Sequence, residues 1–392
     1  MRSSAATPTM RPAMTLGDAT GELAAIAATF ELPGPILDLE PLGNGNVNDT
    51  YLVVCDGDPL QRFVLQRLNR TVFVQPELVM ANMVAIAEHV EARMTQGCAL
   101  LGERRWEHPR VLLSRADQRP WVERDGGFWR LITFIESSQS FDVVASAEQA
   151  REVGFGLGLF HHLISDLPAA GLADTLEGFH VTPRYLEHYD GVLANAPAAA
   201  GDGELHCLAF VEERREFASV LEAARVSGQL RLRPIHGDPK VNNVMMEACS
   251  GRACALVDLD TVKPGLIHYD IGDCLRSCCN PLGEETADLE AVHFDIHLCR
   301  EVLSGYLAAA SGFLTAADYE HLYVAIRLIS FELGLRFFTD HLAGNVYFKT
   351  DRPDHNLQRA LVQFRLTESI EAQEDRILDL IGDLRAGLAP GC

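Results

Sequence analysis

The segment Ile235-His236-Gly237-Asp238-Pro239-Lys240-Val241-Asn242-Asn243-Val244-Met245-Met246 is apolar at both ends and polar between them. Gly237 and Pro239 keep the middle from becoming helix. A short strand follows, and a second one, Leu256-Val257, runs into the acids Asp258 and Asp260. Across such a loop Asp238 and Asn243 can point into one space from opposite sides, and Asp258 enters from the neighbouring strand. Asn243 and Asp258 offer hard oxygens suited to Mg2+, which takes few protein ligands beside phosphate and water. That leaves Asp238 to orient a hydroxyl and accept its proton. Each piece alone says little: H-G-D arises by chance, a lone loop Asp is commonly a turn residue, and acids at a strand end are often solvated. The ordered set is specific: H-G-D-x-x-x-x-N, an apolar strand ending in Asp, then Asp270-Ile271-Gly272-Asp273.

Upstream, residues 36–135 read as strand-rich. Ile36–Leu42, Tyr51–Cys55 and Arg62–Leu68 are strand candidates, with a glycine turn at Gly43-Asn44-Gly45-Asn46 and a turn signal at Asp56-Gly57-Asp58-Pro59. Pro76 opens a helix to about Gly97, with Val79, Met83, Ile86 and Val90 on one face. Trp121–Arg124 and Phe128–Ile135 flank Asp125-Gly126-Gly127 as a hairpin. This order predicts a small antiparallel sheet with one helix on it. A glycine turn between strands is commonly a plain hairpin; a functional one would let its N–H groups approach phosphates.

Downstream the pattern turns helical: 147–167, 205–226, 289–310, 316–342 and 356–384 are predicted helices, with 234–272 as one irregular patch. The expected division is a flexible tail at 1–20, an N-terminal lobe at 21–136, and a C-terminal helical lobe at 137–392. The pairs His161-His162 and His293…His297 read as helix-face histidines without a third metal ligand. Arg336 sits in a mostly apolar helix one turn after Glu332, so an i,i+4 ion pair is available to it.

With 33 Lys+Arg against 55 Asp+Glu, the chain of 392 residues carries a formal charge of −22. Such a surface repels phosphate backbones and anionic lipids, so neither nucleic acid nor a membrane is an expected partner. Hydrophobic residues at 47% and charged ones at 22% exclude wholesale disorder. Ten cysteines without a secretory segment or C-x-x-C spacing point to reduced thiols in a cytoplasm. Monomer and dimer stay open.

The ordered acids resemble the catalytic core of the aminoglycoside phosphotransferase and choline kinase-like superfamily, a branch of the protein kinase-like fold. The resemblance implies an α+β, two-lobed architecture. It makes Asp238 the catalytic base and Asn243 and Asp258 the Mg2+ ligands; His236, Asp260 and Asp270 become structural residues around the loop. A closer resemblance, from about Leu42 to Asp383, is to the bacterial N-acetylhexosamine 1-kinases. It is carried by Gly43–Tyr51, Phe63–Asn69, Asp258–Thr261, Pro264-Gly265, Asp270–Arg276, Glu332–Phe337, Gly344–Phe348 and His355–Leu357. It implies ATP- and Mg2+-dependent phosphorylation of the anomeric hydroxyl of GlcNAc or GalNAc, with Arg336 and Tyr347 contacting the sugar. Gly43, Asn44, Gly45 and Asn46 are then expected at the nucleotide, and Asn46 also at the sugar.

Two positions depart from the wider pattern. Gln66 stands where most kinases carry the phosphate-pairing lysine, so Lys240, Arg67 or the glycine-loop backbone is left to meet the phosphates. The catalytic loop has Gly237, and the glycine loop Asn46, where the hexosamine kinases carry H-N-D and a histidine. Three other classes compete: a kinase of another sugar, amino alcohol or aminoglycoside; a non-catalytic pseudokinase; and a purely structural helical protein. The intact Asp238–Asn243–Asp258 set argues against the last two.

Overall fold

The computed structural model describes residues 16–43, 47–196 and 201–388. Their contacts divide the chain into two units, 1–69 with 111–134, and 70–110 with 135–392.

The first unit is a five-stranded antiparallel sheet with one helix. Helix α1 (Leu16–Ala27) precedes β1 (Ile36–Pro41), β2 (Asp49–Cys55), β3 (Gln61–Leu68), β4 (Val122–Arg124) and β5 (Gly127–Thr133), in the order β1-β2-β3-β5-β4. Side chains alternate across the strands. Val53, Leu65 and Leu131 therefore join Ile26, Ala27 and Phe30 of the α1 region in one buried cluster. Thr50, Gln66 and Arg130, at odd spacing from those three, stand in a row on the opposite face, paired Thr50 to Gln66 and Gln66 to Arg130.

The second unit holds α2 (Pro76–Gln96), β6 (Ser138–Gln139), α3 (Ala147–Ile164), α4 (Thr182–Leu193), α5 (Asp202–Arg214), α6 (Val220–Val226), β7 (Arg233–Ile235), β8 (Val244–Glu247), β9 (Ala253–Leu256), β10 (Lys263–Gly265), α7 (Ile267–Cys278), α8 (Ile296–Ala310), α9 (Ala316–Glu320), α10 (Leu322–Leu342), α11 (His355–Glu371) and α12 (Glu374–Leu388). Strands pair as β6-β8-β9 and as β10-β7. Helices α3 and α8 cross closely because glycine lines both: a Cβ on Gly154 would lie 1.9 Å from the Val302 carbonyl, and one on Gly305 1.9 Å from that of Arg151. Helix α10 is buried on nearly every side, which fits its apolar sequence.

The architecture is the expected α+β one, with an antiparallel sheet region and a helical C-terminal part. Its boundaries differ from the sequence expectation. The helix on the sheet is α1, whose first residues fall inside the segment expected as a tail. Helix α2 has the predicted apolar face, Val79, Met83, Ile86 and Val90, but that face belongs to the helical unit. Asn82 anchors it there, donating to the carbonyls of Ala173 (2.8 Å) and Val262 (2.9 Å). Amphipathic spacing tells that a face is buried, not against what. The predicted helix 205–226 is broken by a 3-10 turn at Arg215–Ser219, and α4 and α7 lie outside the predicted helices. No helix among the described residues is long and apolar enough to cross a membrane.

Candidate active site

The loop that holds Asp238 starts at the end of β7 and closes in a 3-10 turn, Val241–Asn243, that leads into β8. Its shape depends on Gly237, whose φ is +88°. A Cβ there would meet the Thr261 carbonyl at 2.7 Å, so glycine alone fits between His236 and Asp238.

Three buried groups hold the loop. Asp270, in the first turn of α7, accepts the backbone N–H of His236 (Oδ2, 2.6 Å) and of Gly237 (Oδ1, 2.8 Å). His161 of α3 bonds the same carboxylate at 2.8 Å and the Tyr306 hydroxyl at 3.0 Å. It is 1% exposed, so the helix-face expectation for His161 is corrected. Periodicity cannot tell a surface His from one with a buried acid for a partner. Burial opposes the Asp270 charge, but the hydrogen bond and charge of His161, with His236 and its N–H adding, hold its pKa below the ordinary aspartate range. The His236 ring donates from Nε2 to the Val257 carbonyl (2.9 Å) and accepts the Asp238 N–H at Nδ1 (3.2 Å). Burial pushes the His236 pKa down, which suits the neutral ring that this pair of bonds requires.

Asp238 itself is half-buried. Asn243 Nδ2 donates to its backbone carbonyl (2.7 Å) and lies 3.3 Å from its Oδ2; Lys240 Nζ is 3.0 Å from the same oxygen. The Asp238 carboxylate, ahead of a burial effect in the other direction, raises the Lys240 pKa, with Asp258 and Glu284 adding. Because the Asn243 amide nitrogen is committed to Asp238, its oxygen is the end left for a cation. Asn243 and Asp258 lie at the same end of the β8–β9 hairpin, joined by the Val257 N–H to Asn243 carbonyl bond of 2.9 Å. Asp258 is exposed and left-handed, φ 63° and ψ 57°, a backbone that Asp tolerates better than most residues. Asp260 is buried. The donor set of one amide oxygen and one carboxylate fits Mg2+ carried in on phosphates.

A second cluster surrounds Arg336. The Arg336–Glu332 pair that the i,i+4 spacing made available does not form. Glu332 instead accepts Thr182 Oγ1 at 2.6 Å and bonds His180 Nδ1 at 2.9 Å. The Arg336 guanidinium lies 5.2, 5.0 and 5.5 Å from the ring centroids of Phe179, Tyr185 and Phe348. Among the described residues no group accepts a hydrogen bond from it. Burial would lower its pKa, but Tyr185, Tyr347, Glu332 and Asp238 raise it, so Asp238 lies within its electrostatic reach. Phe348 and Tyr347 are presented by the loop 344–348, which folds around Asp340. That carboxylate accepts the N–H groups of Val346 (2.9 Å), Tyr347 (2.8 Å) and Phe348 (3.0 Å), and Asn356 Nδ2 (2.8 Å). Tyr347 is 59% exposed, its ring against Phe348. Sequence reasoning missed Phe179, His180, Thr182 and Tyr185; the compact Phe-His-x-Thr-Pro-x-Tyr string before an amphipathic helix was the available signal.

Of the residues expected at the nucleotide, Asn44, Gly45 and Asn46 lie outside the described residues. Gly43 is exposed with φ +67°, the turn conformation glycine favours. Gln66 accepts from Arg130 at Oε1 (Nε 2.9 Å, Nη2 2.7 Å) and donates to Thr50 Oγ1 (3.2 Å). The cation beside the usual lysine position is thus Arg130, on the neighbouring strand. Arg67 turns to the other face, its guanidinium 5.9 Å from the Trp129 ring centroid.

The fold is shared with solved proteins of low identity. An aminoglycoside phosphotransferase from Alicyclobacillus acidocaldarius aligns at 16% identity and TM-score 0.53, covering 97% of each chain. A microcompartment-associated aminopropanol kinase aligns at 16% and 0.57, covering 90% of this chain and 98% of that one. Choline kinase from Cryptosporidium parvum aligns at 12% and 0.54, covering 94% and 99%. Residues 38–306 match the family described as "Phosphotransferase enzyme family", and with more than half its length inside that match the chain belongs to this family.

Proposed function

We propose that the chain is an ATP- and Mg2+-dependent kinase that phosphorylates the anomeric hydroxyl of an N-acetylhexosamine, GlcNAc or GalNAc. The observation that carries the acceptor assignment is Arg336: a guanidinium cradled by three aromatic rings, within reach of the Asp238 charge, with no anion or carbonyl of the described residues bound to it. Its five donors suit sugar hydroxyls or an acetamido carbonyl. The same charge, with no ion pair among the described residues, repels the cationic head of a choline, an aminopropanol or an aminoglycoside. Tyr347 and Phe348 supply faces for a pyranose ring.

Asp238 orients the attacking hydroxyl and takes its proton. An anomeric hydroxyl is more acidic than an ordinary alcohol, so the carboxylate need not be a strong base. Lys240, beside it, is set to meet the transferred phosphoryl. Asn243 and Asp258 are the residues that would hold Mg2+, which when bound supplies charge neutralisation at the β- and γ-phosphates. Gly43 and the turn after it, with Arg130 held by Gln66, are the proposed contacts to the nucleotide. Transfer in this class depends on alignment and charge stabilisation, with little covalent chemistry left to the protein.

The experiment is ATP turnover with a panel of sugars and amino alcohols. The expected product with GlcNAc or GalNAc is the 1-phosphate, and its methyl glycoside should be inert. Turnover of the glycoside would move the chemistry to another hydroxyl; turnover of choline or aminopropanol in place of the sugars would overturn the acceptor assignment.

A further inference from the structure

We propose that His180 is a positioning residue which, as an imidazolium, ties the carbonyl immediately before Asp238 to Glu332 on α10, holding the base in register with the helix that carries Arg336. The proposal rests on the roles given above to Asp238 and Arg336.

His180 is buried at 4% exposure, just before α4, with φ +63°. Its two ring nitrogens meet a backbone carbonyl, which can only accept, and the Glu332 carboxyl, which accepts when ionised. Nε2 lies 2.7 Å from the Gly237 carbonyl, and Nδ1 2.9 Å from Glu332 Oε1. The second Glu332 oxygen is already taken by the Thr182 hydroxyl, an arrangement that suits an ionised carboxylate. A neutral imidazole has one N–H and could satisfy one of these partners; both bonds require two ring protons. His161 differs: one of its partners is the Tyr306 hydroxyl, which can itself donate, so one ring proton suffices there.

The surroundings support the charge. Glu332 faces the ring from α10 and Asp273 from α7; Tyr269 of α7 stacks on it at 5.5 Å between centroids, and Phe179 packs at 4.1 Å. Burial alone would push the His180 pKa down; Glu332, by charge and hydrogen bond, then Asp273 and the Gly237 carbonyl, hold it above the ordinary histidine value. The bridge is placed so that loss of one proton frees either the loop or the helix. Gly237 precedes the base, and Glu332 lies one turn before Arg336.

The test uses the full chain and His180→Gln. The variant should lose at least about tenfold in kcat, the scale of a misplaced reacting group, with KM for ATP within about twofold. Wild-type kcat should fall on the alkaline side of neutrality, and that limb should be absent from the variant. A variant with wild-type kcat, or a slower one that keeps the same limb, overturns the proposal. A readout that needs no acceptor is the 15N spectrum of the His180 ring. Both nitrogens should be protonated at neutral pH, and the Gly237 and Asp238 amide signals should move as the ring titrates. A single ring proton at neutral pH, or amide signals indifferent to the titration, overturns it. If no hexosamine is phosphorylated, the acceptor assignment alone fails and the spectra decide His180; they also decide if His180→Gln does not fold.

Discussion

At the residue scale, Asp238 and Arg336 carry the two halves of the proposed chemistry and fail differently. Asp238→Asn should lower kcat by at least about a hundredfold, the range for a positioned general base, with ATP affinity little changed; steady-state kinetics and nucleotide titration check this. Arg336→Ala should raise KM for the sugar about ten- to a hundredfold while KM for ATP stays near its native value. That range corresponds to about 1.5–3 kcal/mol for a charged hydrogen bond to a ligand. The structural alternative, an Arg336–Glu332 pair, is absent, so a large drop in melting temperature is not expected from this variant. A lowered melting temperature with unaltered sugar affinity would remove Arg336 from the site. Asp238, Asn243 and Asp258 were legible in the sequence because local spacing brings them together. His180 was not, because its partners Gly237 and Glu332 are distant in sequence and meet it only on folding.

At the element scale, the loop 344–348 shows why the late motif Gly344-Asn345-Val346-Tyr347-Phe348 and the string His355-Asn356-Leu357 go together. Asp340, at the end of α10, collects three loop N–H groups and the Asn356 amide, and Asn356 also donates to Asn345 Oδ1 at 3.0 Å. Each such bond to a charged acceptor is worth about 1.5–3 kcal/mol when its loss strands a buried partner, though the four do not add. Asp340→Ala should therefore lower the melting temperature and raise KM for the sugar at least about tenfold, because Tyr347 and Phe348 lose their platform. Unchanged sugar kinetics in a folded variant would detach this loop from the acceptor site. Asp340 was not singled out from sequence: an acid in the last turn of an apolar helix resembles any solvated terminus until the loop folds back on it.

At the scale of the whole molecule, the buried ionisable groups set how the fold responds to acid. His268 is 1% exposed, its Nε2 bonded to the Asp318 carbonyl at 3.0 Å, and burial pulls its pKa down to about 4. A histidine depressed in the folded state contributes stability that is present above its unfolded value and is lost as pH falls from there toward the folded value. The unfolded value is about 6.5, so the loss reaches about 3 kcal/mol at most. Asp318 and Glu371, held below their ordinary values by arginines, and Asp270, held there by His161 and the His236 N–H, extend the loss to lower pH, through their own folded pKa values. The melting temperature should start to fall below about pH 6.5, and His268→Gln should flatten the curve between there and about pH 4. A native curve flat down to the carboxylate range would contradict this. The sequence by itself determined the α+β order, the strands of the small sheet, the apolar face of α2, and the loop with its base and metal-ligand candidates. These are local patterns, written in period and spacing. Only the tertiary structure decided that α2 joins the helical unit, that Gln66 holds Arg130, and that Glu332 serves His180 while Arg336 lies among aromatic rings with no ion pair to any described residue. Each of those outcomes is a choice among partners far apart in the chain, and packing and desolvation make that choice once the elements meet.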